Sequence, residues 1–342
     1  MADDKLKGGE GKRRGFWRWL VGAKAPAASG PDSGSAGGAV KPPIAGSIAQ
    51  PEILPSASVS HPPEPSPPMQ SRPQVATAPI DLWIGLDFGT SCSKIIVRTP
   101  YEPDSPAFVV PVPAFARADG DCLWATRVMR KPSGAFTLAT DFDAIPLVGI
   151  KEALMQTPRA SVHRADTLAA AQVEDGSAAT AYLALLCRQT RQWYAANHGR
   201  RHNGRPLRWS VNVGFPAASY DNEAMCARYR RVVAAAWTLA GSDAPINVDS
   251  VREAFDQPTA AAAEGGRDRL QAVGADIIPE VVAEAHGFAQ SPMRDDGLYV
   301  LLDVGASTID VCTFMLHRDR VGQDRYAILE AAVELLGAEI CK

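Results

Sequence analysis

From residue 81 to residue 342 two apolar rhythms alternate along the chain. One is a short, nearly unbroken apolar run closed by Gly, Pro, Asp or Ser, which predicts a buried strand. Runs of this kind fall twice within 84–97, at 107–112, 121–125, 207–216 and 275–278, and again twice within 299–312. The other rhythm spaces apolar positions three and four apart and predicts helices packed on one side. It gives a helix over 178–197, where Tyr182, Leu185, Leu186 and Trp193 share a face and Gly199 follows the end. A second helix starts at a cap on Asp221 and stops at Gly241. Further helical stretches cover about 249–272 and 280–289, and Asp119-Gly120 marks a turn. The basic segment 198–208 reads as a solvated connector, with an anion grip as the alternative. Strands alternating with helices predict an α/β protein.

Two of these strand pairs carry the same phrase. Leu86-Asp87-Phe88-Gly89-Thr90-Ser91-Cys92 is echoed far down the chain by Leu302-Asp303-Val304-Gly305-Ala306-Ser307-Thr308. Each is a buried run, then Asp-x-Gly and small or hydroxyl residues, then a second buried run, which predicts a tight hairpin. Gly lets the backbone approach a ligand closely, and successive N–H groups around such a turn form a nest for anionic oxygens. An Asp at the strand end then sits where a divalent cation or its waters need a carboxylate. Two facing hairpins make a phosphate clamp; taken separately, each is an ordinary turn.

Composition divides the chain. Thirteen of its 27 prolines lie in the first 80 residues, among many Gly, Ala and Ser. That stretch buries too little apolar surface to offset its ordering entropy and reads as a disordered tail. Within it, Lys12-Arg13-Arg14-Gly15-Phe16-Trp17-Arg18-Trp19-Leu20-Val21 suits weak contact with an anionic membrane surface, or is a basic tail with a few apolar side chains. It is too short and too charged to cross a bilayer. Gly8, Gly9, Gly11 and Lys12 make no phosphate loop, because no strand precedes them and Arg13 stands where Ser or Thr is needed. A formal charge of −3 gives no reason to expect nucleic acid. Cysteines at 92, 122, 187, 226, 312 and 341 show no CxxC spacing, and the histidines do not cluster. This pattern suits a reducing, cytoplasmic setting without a zinc site.

With both hairpins and the strand Val213-Gly214-Phe215-Pro216-Ala217 in order, the chain resembles the Hsp70-like branch of the actin/Hsp70/sugar-kinase ATPase superfamily. Asp87-Phe88-Gly89-Thr90-Ser91-Cys92 is similar to the family's Asp-Leu-Gly-Thr-Thr-x, and Asp303 to Asp310 to its Asp-Leu-Gly-Gly-Gly-Thr-x-Asp. Ala306 and Ser307 replace two glycines of that pattern. The resemblance implies an actin-like ATPase (ribonuclease H-like) fold: residues 81–240 a complete first lobe, 241–342 the start of a second, with the disordered tail before them. Leu335-Leu336-Gly337-Ala338-Glu339 resembles the family's Leu-Gly-Gly-Glu, after which relatives carry the adenosine grip; a truncated chain with weak nucleotide binding, little turnover and an exposed apolar sheet face is therefore expected.

The resemblance also assigns residues. Its cofactors are ATP or ADP with Mg2+. The turns at Gly89, Thr90, Ser91 and Cys92, and at Gly305, Ala306, Ser307 and Thr308, would cradle phosphates, while Asp87, Asp303 and a Glu would hold the cation through its waters. Two positions compete for that Glu. Asp256-Gln257-Pro258-Thr259-Ala260-Ala261-Ala262 copies the family's Asn-Glu-Pro-Thr-Ala-Ala-Ala in lettering, but Gln257 lies 46 residues before Asp303. Glu280 lies 23 before it, room for one helix and one strand, and is the candidate. Lys151, in Gly149-Ile150-Lys151-Glu152-Ala153-Leu154, fits the lysine that steadies the attacking water, though a lysine near a helix start is often only solvated. Partners implied are nucleotide and, in this family, a client protein or co-chaperone. A carbohydrate kinase relative and a non-enzymatic interaction scaffold are the alternatives.

Overall fold

The computed structural model describes residues 78–118, 121–155, 176–216, 219, 222–289, 291–305, 308–334 and 336–337. The tail with its basic-aromatic patch at 12–21, the Asp119-Gly120 turn and the proposed Asp221 cap lie outside them. The chain is a mixed α/β protein. Strand β1 (Ile80–Asp87) sits in the middle of its first sheet. It turns back as β2 (Cys92–Arg98), with Leu86 opposite Ile95 and Asp87 opposite Lys94, and β3 (Ala107–Val109) continues that meander. Ile80, Leu82, Ile84 and Leu86 point to one face of β1 and are at most 2% exposed, as an alternating buried strand demands.

A short strand β4 (Trp124–Ala125) pairs with the start of β2. Beyond it, β5 (Val128–Arg130), β6 (Phe136–Thr137) and β7 (Ile145–Leu147) form a small separate sheet in the region whose pattern reads as loose. Helix α1 (Ile150–Met155) follows, and then α2 (Ser177–His198). The chain next re-enters the first sheet as β8 (Leu207–Phe215), parallel to β1 with Ile84 opposite Val211. Helix α3 (Glu223–Ala240) starts on Asn222, whose side chain accepts the Met225 N–H at 3.1 Å. Asn222, rather than Asp221, therefore caps it.

The expected helix over 249–272 is three: α4 (Val248–Asp256), α5 (Pro258–Glu264) and α6 (Arg267–Ala272). Pro258 lacks the N–H a continuing helix needs, and Gly265-Gly266 ends the next segment, Gly266 at φ 151°. After them β9 (Ala275–Pro279) pairs parallel with β8 to give the order β3-β2-β1-β8-β9.

Helices α2 and α3 pack together over this sheet, Tyr182 and Tyr229 both reaching the Phe88 ring. The last carbonyls of α3 have arginine partners from α2: Arg188 donates to Leu239 O at 2.8 Å and Arg191 to Ala240 O at 3.1 Å. The basic segment 198–208 is tied down, not merely solvated. His202 is buried with its Nε2 2.9 Å from the Tyr194 hydroxyl, and Arg205 donates to Ala78 O at 2.9 Å.

Helix α7 (Glu280–Ala289) leads to a second, antiparallel meander of β10 (Gly297–Val304), β11 (Ile309–Arg318) and β12 (Asp324–Glu334). Val281, Ala285 and Ala289 of α7 bury one face of it, against Cys312, Phe314, Leu316 and Tyr326. The opposite face of β10 is open, with Leu298, Val300, Leu302 and Val304 between 56% and 68% exposed. Two separate cores result. Ile246, Val251, Ala260, Leu270 and Ile277 all belong to the first, and the second begins with Val281 of α7. Among the described residues no helix is long and apolar enough to cross a membrane.

Candidate functional site

The first hairpin turns at Gly89, Thr90 and Ser91. A Cβ on Gly89 would lie 2.2 Å from the carbonyl oxygen of Cys92, so only glycine fits this turn. Thr126 clamps it from outside: its hydroxyl donates to Gly89 O at 2.9 Å and its N–H to Ser91 O at 2.9 Å. Cys92 opens β2 beyond the turn. Asp87, at the end of β1, faces Lys94 across the hairpin with Nζ to Oδ2 at 3.2 Å, and both side chains reach water.

The second hairpin has the same plan with Asp303 opposite Asp310 in register. Gly305 N–H donates to Thr308 O at 2.8 Å, and the Thr308 hydroxyl donates to Asp310 Oδ2 at 3.1 Å. Ala306 and Ser307 lie outside the described residues.

Between the hairpins, Lys151 of α1 donates to Glu280 Oε1 at 2.8 Å, the two side chains being 11% and 21% exposed. Glu280 is the first residue of α7, directly after β9, so the end of a buried strand delivers it into the interior. It lies flat on β8 because residue 214 is glycine: a Cβ there would come within 3.0 Å of Glu280 Cγ and 3.1 Å of Oε1. Gln257 by contrast caps α5 in an exposed position. The structure thus brings Glu280, and not Gln257, to the hairpins.

One open cleft is lined by Glu280, Glu284, Leu301, Asp303, Asp310 and Cys312 among others. Asp87 stands close enough for its charge to act on Glu280 and Glu284, while Asp303 acts on Lys94, so the two hairpins share one electrostatic neighbourhood. Burial pushes the Glu280 carboxyl above its ordinary range, Lys151 opposes this, and Asp87 and Asp310 add to it. Burial likewise raises Asp310, against its hydrogen bond from Thr308. Glu284 still reaches solvent. Crowding by protein, and then the charges of Asp303, Glu280, Asp87 and Asp310, push its pKa up to about 7. Lys94 is raised, chiefly by Asp87.

Asp87, Asp303 and Glu280 offer hard oxygen donors, the kind that Mg2+ prefers over softer ligands. Among the described residues no three His, Cys, Asp or Glu side chains come close enough to ligate one ion directly. The donor set fits a cation held through its own waters. Sequence reasoning passed over Glu284, although its position one helical turn after Glu280 was legible.

The Gly214→Ala variant should lose about 1 kcal/mol of stability, because the added methyl must shift the Glu280 side chain by a few tenths of an ångström against its pairing with Lys151. Urea unfolding checks this, and Gly214→Val should lose more. No family model matches the chain, and no curated protein matches it.

Proposed function

We propose that the chain binds the triphosphate of ATP with Mg2+ between its two Asp-x-Gly hairpins, in an actin-like ATPase fold of the Hsp70-like kind. The observation that carries this reading is the single cleft lined by Glu280, Asp303 and Asp310, with Lys151 paired to Glu280 and Asp87 near enough for its charge to act there. The strand order β3-β2-β1-β8-β9, followed by a second meander that repeats β1-β2-β3 with an Asp at the end of its first strand, supports the fold.

In this reading the N–H groups of Gly89, Thr90 and Ser91 and those around Gly305 and Thr308 cradle phosphate oxygens. Asp87, Asp303 and Glu280 hold the cation through its waters. Bound Mg2+ would supply charge neutralisation for the triphosphate. Glu280 keeps Lys151 extended toward the cleft, where its ammonium steadies a water or a phosphate oxygen. Phosphoryl transfer asks a protein chiefly for positioning and charge stabilisation, which this set can give.

Calorimetric titration of the full chain with ATP and ADP, with and without Mg2+, tests the reading. Cation-dependent binding is expected, with the Mg2+ complex of inorganic tripolyphosphate competing because the cradle grips the phosphate end. Absence of ATP binding in saturating Mg2+ would sink the reading and leave the hairpins as scaffold.

A further inference from the structure

Glu284 is a carboxylate in the cleft for which the reading above has no task. It follows Glu280 by one helical turn, so the two project from the same face of α7 and line the same cleft with Asp303 and Asp310. Of these four acids and the nearby Asp87, Glu280 is neutralised by Lys151 and Asp87 by Lys94. No Lys or Arg among the described residues forms an ion pair with Asp303, Asp310 or Glu284. Lys151 and Lys94 act on Asp310 and Asp303 at longer range, and Glu284, which belongs to neither hairpin, adds a further negative charge facing any anion that enters.

We infer that Glu284 is a specificity-determining residue: it excludes free polyphosphate from the cleft and makes nucleotide entry conditional on a divalent cation. The inference rests on the proposed function. The physical ground is coupling between two ligands of opposite charge. A fixed carboxylate repels the triphosphate and attracts the cation, so its presence widens the gap between affinity with the cation and affinity without it. By reciprocity, the same carboxylate makes cation binding depend more steeply on nucleotide. Removing Glu284 leaves the hairpins, Lys151 and Glu280 in place, and should therefore act on the cation-free state far more than on the loaded one.

The test is ATP affinity of the full chain, measured by calorimetry at constant ionic strength and pH 8, with saturating Mg2+ and with EDTA. Wild type, Glu284→Gln and Glu284→Ala are compared, with Glu330→Gln on exposed β12 as a control for net charge. Both Glu284 variants should gain on the order of tenfold in cation-free affinity while their affinity in Mg2+ changes by less than about threefold. Glu330→Gln should change neither. If wild type binds in Mg2+ and the Glu284 variants leave cation-free affinity within twofold of it, the inference fails and the proposed function stands. If wild type does not bind in Mg2+, both fall. Equal gains in Glu330→Gln would trace the effect to overall charge and overturn the role of Glu284.

Discussion

Replacing Lys151 by Met should destabilise the protein by about 3–5 kcal/mol at pH 8 and by much less at pH 5. The methionine keeps the apolar stem that α1 buries but removes the ammonium 2.8 Å from Glu280 Oε1. What remains is a carboxylate largely out of water, with the charges of Asp87 and Asp310 acting on it and its own ion-pair partner gone. The sign of the pH dependence follows from the direction of the shift. Glu280 already has a folded-state pKa above its ordinary value, so the folded protein holds that proton more tightly than the unfolded chain does. Stability is then greatest below the ordinary carboxylate range and falls as pH rises through the folded pKa. Lys151 limits this fall in the wild type, and without it the window reaches to higher pH. Asp310 and Glu284, both raised, give the wild type a slope of the same sign, so the informative quantity is the difference between the two curves.

Urea midpoints from pH 5 to pH 8 measure it. The double variant Lys151→Met/Glu280→Gln should recover most of the lost stability at pH 8, because the stranded charge has gone, yet should not recover nucleotide binding. Parallel pH curves for wild type and Lys151→Met would show that the pair is a surface contact of little consequence. The arrangement is otherwise hard to justify on stability grounds. Three carboxyls held above their ordinary range in one cleft weaken the fold near neutral pH, which is the pattern expected where chemistry rather than packing dictates residue choice.

Both hairpins were legible in the sequence because buried strands closed by Asp-x-Gly are a local signal, complete within about fifteen residues. Strand β8 and helix α7 were legible for similar reasons: one ends at Pro216, and the other opens directly after the apolar run of β9. What was hidden depends on partners distant in sequence. Strands β5, β6 and β7 are two or three residues each, too short for alternation to register, and exist because they pair with one another. Strand β12 mixes Glu330 and Glu334 with apolar positions, since one face of its sheet is covered by α7 and the other is open. That the first core takes in residues out to Ile277 was hidden, because β9 joins β8 across some sixty residues of intervening chain. Pro258 and Gly265-Gly266 were visible breakers, but the Ala-rich stretch between them reads as one scaffold helix until the chain is seen to turn. Glu284 was visible as well. On a helix next to a strand, however, an acid at i+4 is indistinguishable from the solvated face until the opposing sheet is in place.

The two hairpin glycines should differ sharply when each is replaced by alanine. Gly89→Ala places a methyl 2.2 Å from Cys92 O, and the obstruction is backbone, not the far end of a flexible side chain. The turn cannot swing aside, because Thr126 holds it at both Gly89 O and Ser91 O and is itself buried with Ser93 at 3.1 Å. The strain must pass into β1 or break those bonds, a loss of about 3 kcal/mol or more and, for a domain of this size, a fall of roughly 6–12 °C in Tm. The nest that Thr90 and Ser91 contribute to would open with it, so ATP affinity in Mg2+ should drop by more than about tenfold. At Gly305 the corresponding methyl meets Thr308 O at 3.1 Å, a contact that a few tenths of an ångström would relieve. Gly305→Ala should therefore melt within a few degrees of wild type. Scanning calorimetry of the two variants decides the matter. A Gly89→Ala protein that melts with wild type would mean the first turn is not held in the tight, clamped form on which phosphate binding there depends.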